Sequence, residues 1–327
     1  MIPFAFIRTK DKETAIKNGS MKGSKFIAGG TNLVDLMKLD IEKPERLVDI
    51  NALDLNQIEV LPNGHIRVGA LVKNTAFAYH PEIIKRFPVI HEAILSGASA
   101  QLRNMASTGG NILQRTRCYY FYDTAFACNK RVPGSGCSAI NGYNRNHAIL
   151  GTSDHCIATH PSDLCVALMA MDTMVLTQGP KGKRSIPISE FHRLPGATPQ
   201  IENVLQTGEL ITAIEIPTLS FSNRSCYLKV RDRASYEFAL ASAAVALQIS
   251  SGKINQSRIA LGGVGTKPWR ASEAEKHLTG SEISKEAFRK AADIALTSAK
   301  PNQHNAFKIE LAKRTLVRAL MTASEIA

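Results

Sequence analysis

Four cysteines, Cys118, Cys128, Cys137 and Cys156, fall within one polar stretch, and only Cys165 and Cys226 occur elsewhere in the 327 residues. Thiolates bind iron–sulfur clusters and zinc, or oxidise to disulfides. Zinc sites favour closely spaced C-x₂₋₄-C pairs, and none is present. Disulfide scaffolds distribute cysteines through small secreted chains, whereas the rest of this chain is nearly free of them. A four-iron cluster takes four thiolates, with irregular spacing when a dedicated loop wraps it. Spacing alone leaves cluster, zinc and disulfide open; four inert thiols would not gather in a polar loop.

A second signal lies in two glycine pairs. In KFIAGGTNLVDLMK (25–38) a strand-like run meets Gly29-Gly30, then Thr31 and Asn32, then an apolar-periodic segment. Glycine lets backbone approach a ligand without an intervening Cβ. The first amides of a helix lack intrahelical acceptors and suit an anion, and Thr31 and Asn32 offer N-cap hydrogen bonds. ASTGGNI (106–112) repeats the pattern with Ser107, Gly109, Gly110 and Asn111. Two such turns could clamp opposite sides of one pyrophosphate; the plain alternative is two tight turns. Neither is a G-x-G-x-x-G or Walker A sequence, so the common dinucleotide and nucleotide fingerprints do not apply.

These residues need elements to hold them. The first 110 residues alternate strand-like pieces (25–29, 46–50, 57–61, 65–70) with helical ones (31–39, 74–80, 82–97), and Pro62-Asn63-Gly64 signals a hairpin. From 115 to 157 the chain is rich in Gly, Ser and Asn without a sustained period, and a loop that long needs something to tie it together. Leu164, Ala167, Leu168 and Met171 give a helical face before another strand. A Gly/Pro-rich segment covers 179–200, a strand ends at Pro217, and 218–225 has the composition of a linker. The last hundred residues predict strands at 226–231, 243–249 and 257–262 and helices near 271–278, 284–298 and 303–323. The fold class is mixed α/β (α+β), with no internal repeat.

Bulk properties exclude several classes. No apolar run is long enough to span a bilayer, and the N-terminus lacks signal-peptide and twin-arginine patterns. The formal charge is +12, yet no arginine block, aromatic-interleaved basic stripe or nucleic-acid signature accompanies it. The expectation is no membrane span and no nucleic acid, the charge serving an anionic cofactor or acidic partner. No Ser-His-Asp or paired-carboxylate arrangement stands out, so no catalytic residue is assigned. His155 and His160 read as loop histidines with local hydrogen bonds, Cys165 and Cys226 as core thiols, and Gly262-Gly263-Val264-Gly265 as a strand end. Tyr119, Tyr120, Phe121 and Tyr122 are placed to shield whatever Cys118 binds.

AGGTNLVDLMK, STGGNI, the P-S-D segment at 161–163, GELI-x-x-IEIP, YLKVRDRASYEFALASAAVAL and IALGGVGTKPWRA appear in this order. Together they resemble the FAD-binding subunits of the molybdenum hydroxylases, a family that includes xanthine dehydrogenase, carbon monoxide dehydrogenase and aldehyde oxidoreductase. The resemblance covers nearly the whole chain and is nearest to the bacterial three-subunit aldehyde oxidoreductase type. It implies a vanillyl-alcohol-oxidase-like (PCMH-type) FAD domain over 1–217, carrying an insertion at 115–157. A CO-dehydrogenase-flavoprotein-like α+β domain would follow over 222–327.

The resemblance also implies site roles. Lys25, Phe26, Ile27, Ala28, Gly29, Gly30, Thr31, Asn32 and Leu33 would wrap the FAD diphosphate, and Ser107, Gly110 and Asn111 would supply the second phosphate turn. Asp163 would bond toward the ribityl or adenosine side, Ile211 would pack on the cofactor, and Lys229 would sit near the flavin ring. Without the resemblance, Asp163 reads as a helix N-cap and Lys229 as a solvated strand residue. Family members with an insertion between the GGN turn and the P-x-x-D segment carry a 4Fe-4S cluster there. Cys118, Cys128, Cys137 and Cys156 match that arrangement, with Arg115, Arg117, Lys130 and Arg131 available to offset its negative charge. The implied assembly is a heterotrimer with a large molybdenum-cofactor subunit and a small 2Fe-2S subunit. It would be periplasmic by co-export with a partner, or cytoplasmic. Electrons would pass from aldehyde oxidation to an external acceptor; the alternative is a xanthine dehydrogenase or 4-hydroxybenzoyl-CoA reductase type of enzyme.

Overall fold

The computed structural model describes residues 1–326. Strands β1 (Ala5–Arg8), β2 (Ser24–Ile27) and β3 (Arg46–Asp49) form a parallel sheet in the order β1-β3-β2. Each crossover carries a short helix, Lys12–Gly19 and Leu33–Lys38, as parallel pairing requires. Neither β1 nor its helix is among the elements expected from the sequence. The strand is an edge with three of its four residues exposed, so it shows no alternating pattern.

A five-stranded antiparallel sheet follows. Its strands are β4 (Ile58–Val60), β5 (Ile66–Gly69), β6 (Met174–Gly179), β7 (Gly182–Pro187) and β8 (Leu210–Ile216), ordered β4-β5-β8-β6-β7. The expected hairpin joins β4 to β5, with Gly64 at φ +81°. The β6–β7 hairpin extends into the segment read as merely Gly/Pro-rich, because β7 (GKRSIP) is a polar outer strand.

One expected helix, 82–97, is two: Pro81–Arg86 and Pro88–Ser96. Phe87 sits at φ −138°, ψ 61°, since the ring of Pro88 drives the preceding residue out of the α region. The apolar periodicity survives the break because Ile83, Phe87, Ile90 and Ile94 all still reach the core.

The C-terminal sheet is β9 (Ser225–Val230), β10 (Ala241–Ser250), β11 (Lys253–Gly262) and β12 (Trp269–Arg270), antiparallel in the order β12-β11-β10-β9. Ser251 (φ +51°) and Gly252 (φ +75°) make the two-residue β10–β11 turn, the geometry that matches strand twist. Helices Ser272–Leu278, Lys285–Ala295 and Phe307–Glu325 cover one face. The other face packs on helices Pro88–Ser96 and Asp163–Ala170. Consequently Ala244 and Ala246 of β10 lie in the core of the preceding sheet and helices, while Ala243, Val245 and Leu247 lie in the C-terminal core. Residues 218–225 are no loose linker either: Phe221 and Ser222 are buried, Phe221 belongs to the first core, and Ser225 already opens β9.

Between β5 and β6 the chain makes its long excursion. Among the described residues, 115–157 contains only single-turn helices, Tyr119–Tyr122 and Ser138–Asn141. Phe121 and Cys128 form a small cluster with Leu36; Ile149 and Leu150 enter the C-terminal core and bond Val264 O; side-chain bonds hold the rest.

Candidate functional site

The two Gly-Gly turns meet. β2 delivers Gly29 against the backbone of Met105 and Ala106, immediately before Ser107. A Cβ on Gly29 would lie 2.8 Å from the Met105 carbonyl carbon and closer still to its oxygen, so only glycine permits this approach. Gly30 adopts φ +72°. Ser107 accepts a 3.3 Å hydrogen bond from the Gly110 amide, and a Cβ on Gly110 would meet nothing but that hydroxyl.

Both turns border one cavity of about 650 Å³. Lys25, Phe26, Ile27, Ala28, Gly29, Gly30, Thr31, Asn32, Leu33, Ser107, Gly110 and Ile211 all line it, with Gln206–Leu210 forming a wall the sequence analysis missed. The expected N-cap bond of Asn32 is absent: its Oδ1 accepts from the Arg115 amide at 2.9 Å instead. Its Nδ2 is buried without a partner. With a helix of only six residues, the cradle depends on the free amides of the first turn more than on a helix dipole. A cavity of this size, lined by the glycine backbone of both turns, fits the diphosphate of a dinucleotide.

Asn111, Asp163 and Lys229 lie apart from that cavity. Asn111 Oδ1 accepts from Ser162 Oγ (2.5 Å) and Gln114 Nε2 (3.0 Å), tying the second turn to the N-cap of helix Asp163–Ala170. Ser162, not Asp163, is the cap, accepting from the Cys165 amide at 3.0 Å. Asp163 borders a second cavity of about 300 Å³. Its carboxylate accepts from Tyr227 Oη at 2.6 Å and pairs with Lys229 Nζ at 2.7 Å, Lys229 also donating to Ser96 O at 3.1 Å. The Lys229 side chain is 3% exposed, so the solvated-strand reading does not hold. Burial and the neighbouring Asp163 push the Tyr227 hydroxyl well above its ordinary range, which keeps it a donor.

The four clustered cysteines are free of disulfides and line a single enclosed pocket, with Tyr120, Phe121, Ala127, Asn129, Lys130, Ala139, His155 and Ala158 completing its wall. An isolated bridge pairs Cys128 with Cys137. No three of the four sulfurs lie within 4.8 Å of one another. Burial pushes the Cys118 thiol up to about 12 and that of Cys156 up to about 11, so ionising them requires a compensating cationic centre.

The cations expected to offset that pocket are largely spoken for. Arg115 bonds Glu42 (2.8 Å) and Glu202 (2.5 Å), Lys130 bonds Glu202 (2.8 Å), and Arg117 pairs with Asp35 at 3.3 Å. Only Arg131 lacks a carboxylate; it donates to the carbonyls of Tyr120, Phe121 and Phe126 and so shapes the first cysteine loop. The Arg115–Glu202–Lys130 network joins the large cavity to the cysteine pocket, since Lys130 borders both. Sequence spacing could not signal it, because Glu42 and Glu202 are 73 and 87 residues from Arg115. Of the aromatic run, Phe121 is fully buried against Leu36 and Cys128, whereas Tyr119 faces the 300 Å³ cavity and is 58% exposed.

His160 keeps the expected local hydrogen bond, with Ser162, and also lies half-buried beside His192 and Cys165, their ligand atoms within 4.8 Å of one another. His160 Nδ1 accepts from the Ser162 amide (3.3 Å), so Nε2 carries the proton; His192 Nε2 donates to Ile112 O (3.0 Å), leaving Nδ1 as the acceptor. Neither His160 Nε2 nor His192 Nδ1 has a hydrogen-bond partner, and the two rings meet edge to face with centroids 4.5 Å apart.

The fold and this geometry agree with what known proteins display. Residues 3–219 match the FAD binding domain in molybdopterin dehydrogenase, and residues 226–323 match the CO dehydrogenase flavoprotein C-terminal domain. The chain belongs to the FAD-binding subunits of the molybdenum hydroxylase family of oxidoreductases. It is 49% identical over 312 residues, 95% of each chain, to the aldehyde oxidoreductase FAD-binding subunit PaoB of Escherichia coli. It is 26% identical to the glyceraldehyde dehydrogenase medium chain of Sulfolobus acidocaldarius over 91% of this chain and 89% of that one. The solved carbon monoxide dehydrogenase of Hydrogenophaga pseudoflava superposes with a TM-score of 0.77 at 25% identity, covering 99% of both chains. Among the described residues no helix is long and apolar enough to cross a membrane.

Proposed function

We propose that this chain is the FAD- and 4Fe-4S-carrying electron-transfer subunit of a molybdenum-containing aldehyde oxidoreductase. The observation that carries the reading is end-to-end similarity, 49% identity over 95% of both chains, to an aldehyde oxidoreductase FAD-binding subunit. In this reading the boundaries are 1–217 for the FAD domain, with 115–157 as the cluster insertion, and 222–327 for the C-terminal domain. The partners are a large molybdenum-cofactor subunit and a small 2Fe-2S subunit, and a partner's export signal sets the compartment.

The residues divide the work. Lys25–Leu33 would hold the diphosphate through the backbone amides of the first turn, with Ser107 and Gly110 facing it from the second and Ile211 as an apolar contact in the same cavity; Asn111 would brace the second turn through Ser162. Asp163 and Lys229 would form the polar wall beyond Ser162. Because they neutralise each other at 2.7 Å, they position the wall and exert a weaker field than a lone lysine would. Cys118, Cys128, Cys137 and Cys156 would ligate the cluster; that all four line one pocket supports this. When bound, the flavin and the cluster supply the electron-accepting and electron-donating chemistry, which no side chain here provides.

Anaerobic purification with iron, zinc and flavin quantified on one sample tests the reading. It expects about four irons and one FAD per chain, with Cys128→Ser losing iron and keeping flavin. Zinc without flavin overturns it. Co-expression with a molybdopterin-binding subunit and a 2Fe-2S subunit of this family should yield aldehyde oxidation that this chain alone lacks.

A further inference from the structure

We propose that His147 donates an N–H···S hydrogen bond to Cys118 and thereby raises the reduction potential of the cluster; the inference rests on the cluster reading above. His147 Nε2 lies 3.1 Å from Cys118 Sγ. A ligating thiolate carries no proton and can only accept, so Nε2 must carry the hydrogen and Nδ1 the lone pair. In agreement, Nδ1 is buried and has no partner of its own. The residue as a whole is 2% exposed, which excludes water as a competing acceptor for the Nε2 proton. A donor aimed at a ligand sulfur stabilises the more negative, reduced cluster over the oxidised one. Potential therefore falls when the donor is removed.

The ring is placed by the C-terminal domain. Lys308, fully buried on helix Phe307–Glu325, donates to the carbonyls of His147 (3.0 Å), Asn146 (3.2 Å) and Gly263 (2.6 Å). Asn305 Nδ2 donates to His147 O and Ala148 O, both at 3.3 Å, and the His147 amide bonds Asn144 O at 3.0 Å. With its backbone fixed on both sides, the imidazole has little freedom to turn away from Cys118. Its side-chain donor is also distinct from what the other sulfurs receive: Cys156 Sγ, for example, accepts a longer 3.5 Å bond from the Ala158 amide, which no side-chain substitution removes. Cys118 is the one of the four cysteines that borders both the cysteine pocket and the 300 Å³ cavity beside Asp163, so the bond acts on the side of the cluster that faces the rest of the site.

The test uses the full chain, anaerobically loaded, with wild type, His147→Phe and His147→Gln compared by iron content and by EPR-monitored redox titration. The expected result is unchanged iron, a more negative midpoint in His147→Phe, and recovery of most of the shift in His147→Gln, whose amide nitrogen can reach the same sulfur. Equal midpoints in iron-replete wild type and His147→Phe overturn the inference. Should His147→Phe lose iron, pulsed EPR of reduced wild type grown on ¹⁵N-histidine decides: an imidazole nitrogen coupling supports the bond, and its absence overturns it. Wild type without iron overturns the cluster reading itself, a separate and visible failure.

Discussion

Gly29→Ala puts the meeting of the two turns to a quantitative test. The new Cβ would sit 2.8 Å from the Met105 carbonyl carbon and 3.3 Å from the Ala106 Cα. The opposing backbone must retreat by more than about 0.7 Å to bring even the carbonyl carbon to ordinary contact near 3.5 Å, and further to clear its oxygen. Neither neighbour is a flexible side-chain tip, so the relief separates the first turn from the second. Overpacking of this kind costs about 1–3 kcal/mol. If the bound cofactor needs the native separation, the whole cost falls on affinity, a loss of about 5- to 150-fold. If the fold absorbs it, melting falls by about 1.5 °C per kcal/mol for a chain of this size. The assay measures FAD dissociation by flavin fluorescence and melting of the FAD-free protein on the same preparations. Gly134→Ala serves as the control, since its Cβ would meet nothing within 4 Å and only its positive φ is strained. Gly29→Ala with wild-type FAD affinity and wild-type melting would refute the claim that the two turns act as one cradle.

Three further outcomes are expected. Asp163→Ala should destabilise the protein by about 3–5 kcal/mol, because it strands a buried ammonium; Lys229→Met in the same chain should recover part of this in a thermal-melt double-mutant cycle, and additive losses would count against the pair. Burial raises the Glu202 carboxyl, but Lys130 and Arg115 outweigh it and hold it below its ordinary 4.5. Its contribution is therefore present above that value and lost as pH falls through the lowered one, so Glu202→Gln should flatten the acid limb of stability below pH 4.5 and leave the neutral region's slope unchanged. Phe288→Ala, in the core under the C-terminal sheet, should cost about 3–5 kcal/mol by denaturant titration; a loss under 1 kcal/mol would mean the helices cover that sheet loosely.

The glycine pairs were legible because close backbone approach leaves few residue choices, and the cysteine cluster because four thiols in a polar loop have few other uses. The C-terminal strands and helices were legible from their long apolar runs. What escaped the sequence depends on neighbours far along the chain. Lys229 read as solvated because its partner Asp163 is 66 residues away. The split at Phe87 was hidden because Ile83 and Ile90 keep helical spacing across it. β1 and β7 were hidden because outer strands need little apolar alternation. His147 carried no signal at all, since Asn305 and Lys308, which fix its backbone, lie 158 and 161 residues further on.

The placement of β10 has a consequence for cooperativity. A strand whose alternate residues belong to two cores cannot melt with one and stay with the other. The two halves that the sequence families divide near residue 220 should unfold in a single step. The amides of 241–250 should then exchange with solvent only through global opening. A fragment ending before β9 would bare the Pro88–Ser96 and Asp163–Ala170 helices and lose Tyr227 and Lys229, the two side chains that hold Asp163. Separate evolution of either half is constrained by the same strand: a change at Ala244 is felt on one side of the sheet, at Val245 on the other, and the backbone between them transmits both.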